Sequence, residues 1–489
     1  MQGLSNFMQV LDDLLWSPIP ALANVPVLGW LSPLAILLVG TGIWYSIKLG
    51  FVQVRGFKKG WNATFGGIFK KSEKADKEGM SSFQALATAI AAQVGTGNIV
   101  GASTAIATGG PGAIFWMWIA AFFGMATIFA EATLAQKYKK VGDDGQVTGG
   151  PVYYISAAFQ GGLGKCLAAI FAILIVISLG FLGCAVQSNG ISTAWNTVFN
   201  AEGQMGTINI LGAEVPIIQP IVGVILAVVA FLIFAGGISS IASFTEKVVP
   251  GMACIFIIGS LFVIITHITW IPQIFVRIFT GAFNPQAVFG GAVGVMVKDA
   301  VSKGVARGLF SNEAGMGSTP HAHAVAKVKH PAHQGYVAMM GVFIDTFIIL
   351  DLTAFIVIGS QMYDPAVSGA NLTGAALAQA GFRQGFGSFG NIFIAFCLTF
   401  FAFSTVIGWY FFGEANIKYL FGSKIVKVYA IIVCVCVFLG SLAEVDWIWN
   451  MQDAFNGLMV IPNLIGILAL TKVVKTLLNE DDISEMLHK

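Results

Sequence analysis

Apolar runs long enough to cross a bilayer constrain this chain more than any motif does. A transmembrane helix needs about 20 consecutive, mostly apolar residues. Eleven runs reach that length: 27–52, 81–107, 112–136, 163–198, 216–236, 244–267, 286–306, 334–361, 387–413, 424–442 and 447–471. Charged residues make up 10% of the sequence and gather between the runs, where a soluble domain carries roughly 25%. Inside a bilayer every backbone N–H and C=O must be bonded within its own segment, so runs of this kind fold as helices. The sequence predicts an all-α polytopic membrane protein, its spans numbered 1 to 11 in that order.

Lysine and arginine set the orientation. With the N-terminus outside, the inner side receives 53–80, 137–162, 237–243, 307–333, 414–423 and the tail. Counting adjoining helix ends, that side holds 24 of the 26 Lys/Arg, leaving Arg277 and Arg383 outside. A miscount by one span would scramble the bias downstream. Eleven spans, N-terminus out and C-terminus cytoplasmic, are expected in a cell membrane. Segment 53–80 carries seven Lys/Arg and reads as a water-exposed loop. Residues 1–26 contain Asp12 and Asp13 and lack a basic n-region, so they read as an amphipathic surface segment, not a signal peptide. All six cysteines fall in apolar stretches and read as small buried hydrophobes.

An odd span count suggests one accessory helix, 27–52, and two units of five, 81–267 and 286–471, followed by a tail at 472–489. The two units enter the membrane from opposite sides, as inverted repeats do. The pointer to a binding site in such proteins is a glycine-interrupted span at matching positions of both halves. Span 2 carries "QVGTGNIV" at 93–100, and span 7 carries "FGGAVGVM" at 289–296 with Gly290, Gly291 and Gly294. A broken helix frees N–H groups that favour an anionic group and carbonyls able to coordinate Na⁺. Thr96 and Asn98 suit either role. The alternative is that Gly97 and Gly101 only let helices approach closely.

Two further polar groups sit in mid-span. Gln187, in "GCAVQSN" of span 4, either bridges helices or reaches a ligand. In span 9, "TFFAFSTVIGWYFFGE" places Thr399, Ser404 and Thr405, hard oxygen ligands for Na⁺ or hydroxyls bonded to their own helix. Acids lie in or near spans at Glu131, Glu246, Asp299, Glu313, Asp345, Asp351, Glu414 and Asp453, with Asp345 and Asp351 deepest. Such acids are functional candidates by default. "TPHAHAVAKVKHPAH" clusters His321, His323, His330 and His333, either a metal or pH-sensing site or, as expected here, a solvated loop. The sequence carries no phosphate-binding GxxxxGK[ST] loop, GxSxG or HExxH, so neither ATP drive nor enzyme chemistry is signalled. A channel would favour a symmetric oligomer with a polar ring or filter loop, whereas two broken helices in one chain point to a single enclosed site.

"GGPGAIFWMWIAAFFG" at 109–124 resembles the signature of the alanine or glycine:cation symporters, also called the sodium:alanine symporters. "GTGNIVG" at 95–101 and "GVARGLFSNEAGMGSTPHAHA" at 304–324 resemble two further blocks of that family. The likeness extends over essentially the whole chain. It implies the amino acid–polyamine–cation superfamily fold, with five-helix inverted repeats and alternating access. It implies Na⁺-coupled uptake of alanine or glycine, with glutamine-preferring and proton-coupled members as alternatives. The expected partners are that amino acid and the lipid bilayer, with no nucleic acid and no obligatory protein partner. By this resemblance Thr96, Gly97, Asn98, Gln187, Phe289 and Gly290 would hold the substrate. Na⁺ would sit among Ala92, Gly95, Thr399, Ser404 and Thr405. Arg307 and Glu313 would form an inner gate, or a fixed loop anchor.

Overall fold

The computed structural model describes residues 10–19 except 12, residue 25, and 28–66, 79–200, 205–210, 213–283, 293–443 and 445–487. They are overwhelmingly helical. Among the described residues seven helices are long and apolar enough to cross a membrane. Two bent pairs, Ser82–Gln93 with Gly97–Gly109 and Ile448–Ala469 with Thr471–Ile483, also qualify as broken spans, bent by 46° and 58°.

In chain order, α1 is Pro33–Lys48 and α2 is Phe57–Phe65. Span 2 consists of α3, Ser82–Gln93, a wide π-helical turn at Gly97–Gly101, and α4, Ala102–Gly109. Next come α5, Ala113–Lys137, and α6, Pro151–Ala158. Helices α7, Gly162–Ile175, and α8, Cys184–Phe199, are joined by a π-helical stretch at Val176–Gly183. Then follow α9, Ile218–Ala235, α10, Gly237–Thr266, α11, Trp270–Phe283, α12, Val293–Asn312, and α13, Pro320–Ala324. Helices α14, Pro331–Ile344, and α15, Asp351–Ser360, flank a third π-helical turn at Asp345–Leu350. The chain ends with α16, Gly374–Phe386, α17, Phe389–Phe421, α18, Val426–Leu442, α19, Val445–Ala469, and α20, Thr471–Leu487.

Local chemistry explains several boundaries. Ser81 and Gln84 cap α3 reciprocally, Ser81 Oγ accepting from Gln84 N at 3.1 Å and Ser81 N donating to Gln84 Oε1 at 3.0 Å, a capping box. Proline opens α1, α6, α13 and α14, where its missing N–H is harmless. Helix α5 packs against both α12 and α14, α3 lies against α10 and α17, and α8 lies against α17 and α18. In its apolar stretch α17 is 78% buried, against 28% for α9, so α17 is central and α9 peripheral. Helix α9 turns Ile221, Val224, Ile225, Val228 and Leu232 outward, the apolar face a lipid-contacting helix presents.

The structure differs from expectation in two connecting segments. Part of 53–80 is helix α2, whose Gly60 lies against the Tyr336 carbonyl of α14; residues 67–78 lie outside the described residues. The segment after span 6 contains α11, which buries Ile274, Ile278, Gly281 and Ala282. That spacing makes one narrow stripe, too short and too amphipathic to register as a span.

Candidate functional site

The first break forms where expected. Helix α3 stops because Val94 takes ψ 87, and regular helix resumes only after the π-helical turn. Two glycines bring neighbouring helices close. A Cβ on Gly95 would lie 2.4 Å from Thr405 Oγ1, and one on Gly97 would lie 3.1 Å from the Ser311 Cα. Gly101 has nothing within 4 Å of its Cβ position, so close packing does not explain it. The freed backbone is held by side chains. Gly95 N donates to Asn98 Oδ1 at 3.0 Å, and Thr96 N donates to Gln187 Oε1 at 3.1 Å. Thr96, Asn98, Gln187, Ser404 and Thr405 are all buried. The Thr96 and Ser188 hydroxyls have no hydrogen-bond partner there.

The hydroxyls of α17 meet the carbonyl side of the same break. Thr405 Oγ1 donates to Ala91 O at 3.0 Å, with Val94 O at 3.4 Å, and Ser404 Oγ lies 3.4 Å from Ala91 O. The carbonyls these hydroxyls meet belong to Ala91 and Val94, whereas the expected ion site named Ala92 and Gly95. Ala92 packs its Cβ under Gly408, where an added Cβ would come within 2.9 Å. Thr399 is also not part of the group. It accepts from Trp195 Nε1 at 2.8 Å and donates to Ala395 O at 2.7 Å, because it lies more than a turn before Ser404 on α17.

Among the described residues a break follows α12, beyond the expected 289–296. Phe289 and Gly290 lie outside the described residues, and Gly294 falls in α12, an unbroken helix to Asn312. The chain leaves helical geometry at 313–319, where Glu313, Gly315 and Gly317 take φ of 58, 88 and 78. A buried carboxylate holds this segment. Glu131 of α5 accepts from Gly315 N and Gly317 N, both at 3.0 Å, and from Asn463 Nδ2 at 2.6 Å. Tyr154 donates to Asn463 Oδ1 at 2.5 Å. Glu313 accepts from Trp409 Nε1 and Ser318 Oγ, both at 2.5 Å.

The expected Arg307–Glu313 pair does not form. Arg307 pairs with Asp453 of α19 at 3.0 Å and lies over the Trp449 ring at 5.4 Å. Expected on the inner side with 307–333, Arg307 instead precedes the break that follows α12 and pairs with Asp453 near the start of span 11, at the end of the bundle expected to face outward. There it borders a cavity of about 440 Å³ with Gly101, Thr104, Gly190, Thr193 and Trp449. Trp16 of the N-terminal segment donates to the Asp453 carbonyl at the same end, at 3.0 Å.

The two deep acids acquire partners. Asp351 accepts from Trp118 Nε1 at 2.7 Å. Asp345, at the start of the third π-helical turn, receives Asn98 Nδ2 at 2.6 Å, Ser311 Oγ at 3.1 Å and Thr346 Oγ1 at 3.1 Å. Asp345 thus belongs to the neighbourhood of the first break, which only its mid-span depth signalled in the sequence. The expected solvated histidine loop is instead half interior. His321 Nδ1 lies 2.6 Å from Ser318 O, its Nε2 lies 2.8 Å from Asn416 Nδ2, and its ring stacks on Phe171 and Phe412. His323 is buried against Gln334, while His333 faces Asp481 of α20. Among the described residues no group of three or more His, Cys, Asp or Glu side chains could hold a metal.

Comparison with known proteins shows the family and the fold. The model of the sodium:alanine symporter family matches residues 19–484. The sodium/alanine symporter AgcS of Methanococcus maripaludis is 40% identical over 91% of this chain and 93% of its own. The probable sodium/glutamine symporter GlnT of Bacillus subtilis is 40% identical over 98% of this chain and 91% of its own. Among solved structures, MhsT in complex with L-phenylalanine superposes with TM-score 0.54 at 14% identity, covering 84% of this chain and 99% of that one. That likeness concerns the fold alone. With its family model matched nearly end to end, the chain belongs to the sodium:alanine symporter family, whose members are amino acid–cation symporters.

Proposed function

We propose that this protein imports alanine or glycine together with Na⁺ across the cell membrane, by alternating access between two inverted five-helix units at 81–267 and 286–471. One observation carries the reading. On a single broken helix, two hydroxyls from α17 converge on the carbonyls of Ala91 and Val94, while the N–H groups after them face Gln187 and Asn98. The hydroxyls can rotate to present lone pairs. Ala91 O, Val94 O, Ser404 Oγ and Thr405 Oγ1 then offer four oxygens to Na⁺. The N–H groups of 95–97, with Gln187 and the free Thr96 hydroxyl, suit the amino acid carboxylate. Breaks at 94–97 and 313–319 in the first helix of each unit support the repeat. Gly97 touching Ser311 brings the breaks together, so substrate bound at one is sensed at the other.

In this scheme Arg307 and Asp453 close the side expected to face outward, and Glu131 holds the second break on the opposite side. The N-terminus would lie outside and the C-terminus in the cytoplasm. The deciding experiment is radiolabelled alanine uptake into proteoliposomes under an inward Na⁺ gradient, compared with an equal K⁺ gradient. Uptake that requires Na⁺ supports the reading. Uptake of glutamine but not alanine would move the substrate toward that of the GlnT relative. Uptake under a proton gradient without Na⁺ would refute the coupling.

A further inference from the structure

We propose that the face expected to be cytoplasmic carries a binding site for the phosphate headgroup of an anionic phospholipid. The site is the cavity between α2, the start of α3 and the segment that leads into α14. It holds about 430 Å³ and is lined by Lys59 and Asn62 of α2, Ser82 of α3, and Lys327, Lys329 and His333. Among the described residues no carboxylate lines it. The general excess of Lys and Arg on that side does not explain this. Another cavity expected there, of about 370 Å³, is lined by Asp143, Asp144 and Glu414 beside Lys418. Three ammonium groups around one cleft make a seat for an anion, and basic pockets between helices on the cytoplasmic side take lipid headgroups.

The charges are held in place. Lys59 Nζ lies 3.4 Å from the Tyr336 hydroxyl and 5.2 Å from the ring centroid, and it pairs with Asp481 and Asp482 of α20 at 3.3 and 2.9 Å. His333 lies 3.1 Å from Asp481. Those acids offset charge at Lys59, and Lys327 and Lys329 bring two more ammonium groups. Lys327 N donates to Met80 O at 2.8 Å, and Ser82 Oγ donates to Gln334 Oε1 at 3.0 Å. The lysine segment is thereby held against the first turn of α3, whose backbone N–H groups add partial positive charge.

The surface beside the cavity marks the anion as a lipid and not a soluble phosphate. Phe57, Trp61 and Phe65 follow at four-residue spacing on α2 and stack along it, with Trp61 44% exposed. Trp44, Ile47, Phe51 and Val54 are also exposed, and Lys48 lies 4.5 Å over the Trp44 ring. Exposed Trp beside Lys is the pattern of a membrane–water boundary. Asn62 and Ala63, which line the cavity, follow Trp61 directly, so acyl chains lying along the aromatic stripe place the headgroup at the cavity. A headgroup bound there touches α2, α3 and α14 together. Helix α3 is the first half of the broken span, so the lipid bears on the part of the site that must move.

The test is thermal melting of the purified full chain in detergent, titrated with short-chain phosphatidylglycerol, phosphatidylcholine of the same chains, or inorganic phosphate. A ligand that binds only the folded state raises the melting temperature. Phosphatidylglycerol should do so saturably, and the other two should not. The double variant Lys327→Gln, Lys329→Gln should weaken the apparent affinity by about 30-fold, about fivefold per lysine. Asn62→Trp keeps every charge and fills the cavity. It should abolish the saturable shift, and it decides the matter if the double variant does not fold. Equal shifts from phosphatidylglycerol and phosphatidylcholine would overturn the proposal. So would an equal shift from inorganic phosphate, which would make the site one for a soluble anion. An unchanged phosphatidylglycerol titration in the folded double variant, or in folded Asn62→Trp, would also overturn it and leave only a diffuse surface attraction. The measurement uses neither amino acid nor Na⁺, so failure of the symport reading leaves it untouched.

Discussion

Replacing Thr405 by valine removes one hydroxyl with little change of shape. In the structure that hydroxyl donates to Ala91 O at 3.0 Å, lies 3.4 Å from Val94 O, and is bonded within its own helix to Phe401 O at 3.0 Å. The loss to folding is modest, about 1 kcal/mol for a typical neutral hydrogen bond. The loss to Na⁺ binding is larger, because a polar contact to a full charge is worth about 1.5–3 kcal/mol. At about 1.4 kcal/mol per tenfold, the Na⁺ concentration for half-maximal alanine uptake should rise by about 10–100-fold. Alanine uptake at saturating Na⁺ should survive. The assay is initial-rate uptake against Na⁺ in proteoliposomes, with Thr399→Val as comparison. Thr399 bonds to Trp195 and Ala395 instead, so its variant should keep the wild-type Na⁺ dependence. If Thr405→Val folds and its Na⁺ half-saturation stays within about twofold of wild type, an amount far below the tenfold that 1.4 kcal/mol implies, the assignment of the ion to this group is wrong.

Other expectations follow from single contacts. Glu131→Ala leaves Gly315 N, Gly317 N and Asn463 Nδ2 without their acceptor; each unmet buried group costs about 1–3 kcal/mol, so folded yield in detergent should collapse. Glu131→Gln, which still offers one oxygen, should fold and melt lower. Arg307→Ala should speed labelling of Gly101→Cys by an impermeant thiol reagent added outside, in a background with the native cysteines replaced, and Asp453→Asn should give the same increase without adding to it. Gly97→Ala places a methyl 3.1 Å from the Ser311 Cα; overpacking of this kind costs about 1–3 kcal/mol and should appear as reduced alanine affinity in uptake saturation curves.

Much of the architecture was legible because it follows from short-range rules. Bilayer-length apolar runs and sparse charge determined a helical membrane protein, and the polar, glycine-rich "QVGTGNIV" marked the first break. Local backbone freedom at Gly95 and Gly97 and side chains needing partners at Thr96 and Asn98 sufficed for that. Gln187, Ser404 and Thr405 were also readable as polar groups in apolar helices. The positions of the second break and the accessory helices were not. "FGGAVGVM" and "NEAGMGST" both carry helix-weakening glycines, and glycine alone does not say which weakness is used. At 313–319 the break is held by Glu131, a residue about 185 positions away whose carboxylate gathers the N–H groups of Gly315 and Gly317 at separations of 184 and 186.

The same division runs through the site. The sequence by itself determined which residue types could meet a cation or an amino acid, because hydroxyls, amides and carboxylates inside a membrane must be bonded to something. Tertiary structure alone decided the pairing. It set the register that brings the Thr405 hydroxyl to the carbonyls of Ala91 and Val94. It paired Arg307 with Asp453 146 residues away, buried His321 between Phe171 and Phe412, and brought Asp345 to Asn98 across 247 residues. A helix fixes its own period, but its rotation and depth are set only when it packs, and a shift of one residue turns a carbonyl or a side chain by about 100° around the helix axis.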